Sequence, residues 1–126
     1  MDSTFKKEER LKSNLSIKGL LDQGKTISSF PLKIFWNSVE DPGQKFPAKV
    51  AILIPKKRFS RAVDRNLMKR RIRESYRQNK QPLYDLLNKS DLKLLLVIMI
   101  LSDEIVTFAK VESSLKDLLM KLSKNI

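Results

Sequence analysis

The chain has 126 residues, 41% of them apolar and 32% charged, which fits one small domain with a modest core. Lys and Arg number 26 against 14 Asp and Glu, a net charge of +12 that points to a polyanionic partner. Histidine and cysteine are both absent, which excludes disulfide frameworks, thiolate metal sites, the usual imidazole base and the Ser-His and Cys-His nucleophile systems.

The first ten residues are polar and begin with an acid, so no secretory signal is expected and a cytoplasmic location follows by default. Residues 1–8 are expected to be flexible, with Phe5 either a tethered anchor or part of a loose tail. Between Ser13 and Gln23, the i, i+3, i+4 spacing of Ile17, Leu20 and Leu21 predicts an amphipathic helix, with Gly24 as its C′ residue. Gly19 lies inside it at a cost of about 1 kcal/mol relative to Ala, so packing or a close approach is expected to compensate.

After a polar turn, Leu32, Ile34 and Trp36 alternate with Lys33 and Phe35, predicting a strand with one buried face. Lys33 and Phe35 share its other face, where a cation suits a phosphate and a ring suits a base of single-stranded nucleic acid. A core role for Phe35 is the plainer alternative. Residues 37–47 contain Asp41-Pro42-Gly43 and predict a loop. Lys49 to Ile54 then predicts a second strand, closed by Pro55, whose apolar run suits a central position.

From Lys56 to Arg77 the chain places ten basic residues against Asp64 and Glu74, a surplus of eight out of the net +12. No Gly or Pro interrupts Arg58 to Gln81, Ser60 is a candidate N-cap, and Pro82 ends or kinks the predicted helix. At 100° per residue, Met68, Ile72 and Tyr76 form a core arc, and Asn66, Lys69, Arg70, Arg73 and Arg77 fill the adjoining one. Like charges at i,i+3 and i,i+4 repel unless a polyanion neutralises them. That favours a nucleic-acid surface over a merely solvated face or a basic address signal.

Leu83 to Leu87 is a further helical turn or a separate short helix. The apolar run from Leu92 to Leu101 is far shorter than the roughly 20 residues of a membrane span. Its Val and Ile content predicts a strand buried on both sides. Phe108, Val111, Leu115, Leu118, Leu119 and Leu122 then form one stripe of a closing amphipathic helix. No phosphate loop, metal-spaced cluster or catalytic carboxylate pair is visible, so a self-sufficient protein catalyst is not expected.

The segment from Lys56 to Glu74, written K-K-x-x-x-x-A-V-x-R-N-x-x-K-R-x-x-R-E, resembles the signature of the bacterial ribonuclease P protein subunit. That family's pattern has an Arg where this chain has Leu67. The family's first-helix pattern R-L-K-x-x-x-x-F-x-x-x-F-x-x-G is matched at Arg10, Leu11, Lys12 and Gly24, with Ile17 and Leu21 replacing its two rings. The resemblance implies an α+β sandwich of order αβββαβα, with helices packed on a mixed four-stranded sheet like domain 2 of ribosomal protein S5. It also implies a left-handed crossover, where sheet physics alone favours the right-handed form.

Together with the charge pattern, the resemblance implies contact with a catalytic RNA subunit through Lys56, Lys57, Arg58, Arg61, Arg65, Asn66, Lys69, Arg70, Arg73 and Arg77. It further implies a cleft for the 5′ leader of precursor tRNA at Arg10, Lys12, Ile17, Leu21, Lys33 and Phe35. Hydrolysis would be done by the RNA and by Mg²⁺ held mainly by RNA and substrate, with neither a membrane nor an obligate protein partner required. Two other readings remain open from the residues themselves: a ribosome-associated structural RNA-binding protein, and a DNA-binding protein using Arg58 to Arg77 as a recognition helix.

Overall fold

Residues 5–41 and 43–126 are described by a computed structural model. In chain order they form a 3-10 turn at Lys7–Glu9, then α1 (Asn14–Gln23), β1 (Lys25–Ser29), β2 (Leu32–Val39) and β3 (Ala48–Leu53). The remaining elements are α2 (Ala62–Asn79), α3 (Gln81–Lys89), β4 (Lys93–Ile100) and α4 (Phe108–Asn125). One mixed sheet runs in the order β1-β2-β4-β3, antiparallel except for the β3/β4 pair, with α2 and α3 in the crossover between the parallel strands. No helix among the described residues is long and apolar enough to cross a membrane.

Pleating sends alternate side chains of this sheet into two cores. Leu32, Ile34 and Trp36 of β2, with Leu94, Leu96, Ile98 and Ile100 of β4, face the larger one. Met68, Ile72 and Tyr76 of α2 close it, together with Val111, Leu115, Leu118 and Leu122 of α4, so the predicted arc and stripe are the buried faces of those helices. Phe35 and Val97 point the other way, into a smaller core closed by Leu11 and by Leu20 of α1. The central strand, buried on both faces, is β4.

Several expectations are corrected. The polar stretch Lys25–Ser29 is a strand rather than a turn: it pairs with β2 along its length, Ile27 packs against the larger core, and Lys25 Nζ lies 4.8 Å above the Trp36 ring. β3 is an edge strand, not a central one. Its outer side is covered by the N-terminal segment, through a bridge between Arg10 and Val50 and a 2.9 Å hydrogen bond from Leu11 N to the Val50 carbonyl. Phe5 is an anchor, packed edge-to-face on Tyr76 at 5.8 Å, while residues 1–4 lie outside the described residues. So does Pro42 of the expected Asp-Pro-Gly turn, in which Asp41 Oδ1 accepts from Gly43 N at 3.0 Å.

The basic helix begins later than its composition suggests, with Lys56 to Arg58 in a turn and Arg61, not Ser60, at the N-cap position. Arg61 makes no side-chain cap; the guanidinium of Arg65 instead takes the carbonyls of Phe59 and Ser60, each at 2.9 Å. Pro82 opens a new helix: α2 stops at Asn79, and α3 carries Pro in its first turn, where a missing N–H costs nothing.

The two glycines of the first helix also differ from expectation. A Cβ at Gly19 would meet nothing within 4 Å, so no packing compensates for that glycine. Gly24 has an extended backbone rather than a left-handed one, and its requirement is space, because a Cβ there would lie 2.5 Å from the Leu20 carbonyl oxygen.

Candidate nucleic-acid interface

Two surfaces carry the residues singled out in the sequence. On the first, the arginines of the basic segment divide into two sets. Arg58 Nη1 donates to the Leu101 carbonyl at 2.7 Å and to Asp103 at 3.0 Å, Arg65 takes the carbonyls at the start of α2, and Arg71 reaches the Val106 carbonyl. Arg77 pairs with Glu74, whose carboxyl is lowered from 4.5 to about 2, chiefly by that bond and then by one from Gln78. Arg58 and Arg71 fasten the turn before α2 and α2 itself to the end of β4 and to the loop before α4, and Arg65 braces the start of the helix.

Backbone carbonyls accept hydrogen bonds without cancelling charge, so the scaffold arginines still contribute to the field. The second set consists of Lys56, Lys57, Arg61, Asn66, Lys69 and Arg70, all exposed, with half-buried Arg73 beside them. Local acids offset little of this: Asp64 stands 4.0 Å from Arg61, Asp103 holds Arg58, and Glu74 holds Arg77. Arg73 Nε is buried without a hydrogen-bond partner among the described residues.

The second surface is the sheet face beneath α1. Phe35 is 8% exposed and packed with Leu11, Leu20 and Val97, so both faces of its ring are largely taken up by protein. Lys33 Nζ lies 4.9 Å above it. Ile17 and Leu21 are half-buried on the same small core and keep an apolar edge at the surface. Arg10 and Lys12 lie elsewhere, in a cleft of about 860 Å³ where the N-terminal segment and the start of α1 face the β2–β3 loop.

That cleft also gathers Lys7, Lys45 and Lys49, with Glu8, Glu40 and Asp41 opposing them and Leu11 and Leu95 among its lining residues. The six residues expected to line one cleft therefore form an apolar part, at Ile17, Leu21, Lys33 and Phe35, and a cationic part at Arg10 and Lys12. Lys49 was missed in the sequence although its signal was present: it alternates with buried Ala48 and Val50, which puts it on the α1 side of the sheet. Lys45 follows Gln44, whose buried amide donates to the carbonyls of Phe46 and Leu94 and so fixes the loop.

Among the described residues no three acidic, His or Cys side chains converge on a possible metal. What the two surfaces can do is hold phosphates and present apolar edges to bases.

Residues 5–123 match the family model described as Ribonuclease P. The chain is 32% identical over 120 residues to the ribonuclease P protein component of Porphyromonas gingivalis, covering 95% of this chain and 87% of that one. Over 81 residues it is 38% identical to the component from Nitrosococcus oceani, 63% of each chain. In fold it is similar to the RNase P protein of Staphylococcus aureus, with a TM-score of 0.64 and 20% identity over 92% of this chain and 95% of that one. The Thermotoga maritima RNase P protein gives 0.65 and 23% over 90% and 96%.

Proposed function

The chain belongs to the ribonuclease P protein family, and from that premise we propose that it is the protein partner of a catalytic RNA in the endonuclease that matures the 5′ end of tRNA. The observation that carries this is the division of labour along the basic segment. Arg58, Arg65 and Arg71 bind carbonyls and hold α2 in place, which leaves Lys56, Lys57, Arg61, Lys69, Arg70 and Arg73 as one solvent-facing cationic surface for RNA. Asn66 adds a polar contact on the same face.

In this reading the single-stranded leader of precursor tRNA lies along the α1 side of the sheet. Arg10, Lys12 and Lys33, joined by Lys45 and Lys49, meet its phosphates, and Ile17 and Leu21 pack under its bases. Phe35 supports that floor from below rather than stacking. The chemistry belongs to the RNA and the Mg²⁺ it holds, because a chain without His or Cys offers no evident general base or nucleophile. The protein's part is electrostatic and positional, and it operates in the cytoplasm, where tRNA precursors are made.

The test is reconstitution. RNA-free protein should leave precursor tRNA intact, and adding the cognate catalytic RNA at physiological Mg²⁺ should give cleavage at the mature 5′ end. Cleavage by the protein alone, or co-purification with ribosomal RNA and no stimulation of the catalytic RNA, would overturn the proposal.

A further inference from the structure

All of the chain's aromatic residues fall among the described ones, and all but one are buried or half-buried. The exception is Phe30, 67% exposed at the tip of the β1–β2 hairpin. A lone exposed apolar side chain is ordinary on a protein surface, but this one sits on a fixed support. Ser114 Oγ donates to the Ser29 carbonyl on one side of it, and on the other Leu101 N donates to the Pro31 carbonyl at 2.7 Å.

Leu101 is also the residue whose carbonyl accepts from Arg58 at 2.7 Å, so one residue ties the aromatic tip to the basic turn. The strand register agrees. Leu32 lies opposite Ile100 and Leu53 opposite Met99, so the hairpin tip and the turn after β3 leave the sheet at the same end. They stand on either side of β4, two strand spacings or about 10 Å apart. That end of the molecule carries Lys56, Lys57, Arg58 and Arg61, and of its nearby acids Asp103 is bonded to Arg58 and Asp64 stands 4.0 Å from Arg61, with exposed Glu104 beside them, so four cations face three carboxylates.

Resting on the RNA-binding reading above, we propose that this end of the sheet is a base-stacking site, in which Phe30 holds an unpaired base of the RNA subunit while the turn at Lys56 to Arg61 holds the neighbouring phosphates. A second copy of this chain, with the same net +12, would be repelled by those cations. An anionic partner with flat apolar faces is the complement, and a ring held on a fixed tip loses little freedom on stacking. The RNA subunit, rather than precursor tRNA, is the occupant because the tip is continuous with the start of α2 and not with the α1 cleft.

The experiment titrates the cognate catalytic RNA with the full chain and its Phe30→Ala, Phe30→Leu and Phe30→Trp variants, each checked by circular dichroism. Lys69→Ala/Arg70→Ala serves as the control for the basic helix. Phe30→Ala and Phe30→Leu should weaken binding by about 5- to 150-fold, the span of one lost stack, and Phe30→Trp should retain it. RNA carrying 5-iodouridine should photocrosslink to Phe30. If the lysine–arginine control loses affinity while all Phe30 variants bind like wild type, the stacking site is refuted and the RNA-binding reading stands. If neither set loses affinity, the RNA-binding reading falls and takes the proposal with it. A Phe30 effect confined to leader-bearing precursor tRNA would refute the choice of occupant.

Discussion

Removing one charge, that of Glu9, should cost this domain a large share of its stability. Lys80 Nζ contacts both carboxylate oxygens of Glu9, at 2.6 and 2.8 Å, with the side chains 2% and 1% exposed, and the ring of Tyr84 lies 5.1 Å away. In Glu9→Gln the ammonium of Lys80 stays in a water-excluded site and loses the carboxylate that grips it with both oxygens, and breaking a buried pair typically costs about 3–5 kcal/mol, against a total of about 5–15 kcal/mol for a domain. With a urea m-value of about 2 kcal/mol/M, the unfolding midpoint should fall by about 2 M. Trp36, the single Trp and buried in the larger core, reports the transition by fluorescence. Glu9→Leu/Lys80→Met should recover most of the loss, because an apolar pair of similar size removes both desolvation penalties. A loss below about 1 kcal/mol in Glu9→Gln would mean that water reaches the pair and that the reasoning is wrong. Glu9 directly precedes Arg10, so the same pair also fixes the N-terminal segment that covers the edge of β3 and walls the cationic cleft.

Gly19→Ala should stabilise the protein by about 1 kcal/mol in thermal or urea unfolding, since the helix gains propensity and the new methyl has open space; a loss would mean that something approaches this turn of α1. Phe35→Ala should cost about 3–5 kcal/mol as a core truncation, and in the assembled complex it should weaken leader-bearing and leaderless tRNA alike. Intact stability with a loss on leader-bearing tRNA alone would instead place a base on that ring. Glu74 has its carboxyl lowered from 4.5 to about 2 by Arg77 and Gln78, so its contribution to stability is complete above pH 4.5 and fades as the pH falls toward 2. The side chain is 44% exposed and screened by water, so that contribution is about 1 kcal/mol at most; identical acid unfolding profiles for wild type and Glu74→Gln would remove it.

What the sequence made legible were the features written in periodicity. Met68, Ile72 and Tyr76, the leucine stripe of α4, and the unbroken apolar run of β4 each signal a buried face through spacing alone. β1 escaped because its one apolar residue, Ile27, makes no pattern, and pairing with β2 is what defines it. β3 has the composition of a central strand because the N-terminal segment covers an edge that would otherwise face water. On the basic segment, charge density was readable, but not which arginines turn inward. The partners of Arg58, Arg65 and Arg71 are backbone carbonyls at strand and loop ends, and carbonyls carry no sequence signature. For the same reason Arg65→Ala should loosen the start of α2 as well as weaken RNA binding.

The central claim is that the exposed cations of α2 bind the catalytic RNA while the carbonyl-bound arginines hold the fold. Its most direct test is the salt dependence of binding to the cognate catalytic RNA, wild type against Lys69→Ala/Arg70→Ala, both residues being exposed. If each cation neutralises a phosphate, the double variant should bind more weakly at low salt, and the slope of log affinity against log salt should be shallower by about 1–2, with urea stability unchanged. Coincident affinities and parallel salt slopes for two folded proteins would show that this face of α2 is solvated surface and that the RNA is held elsewhere.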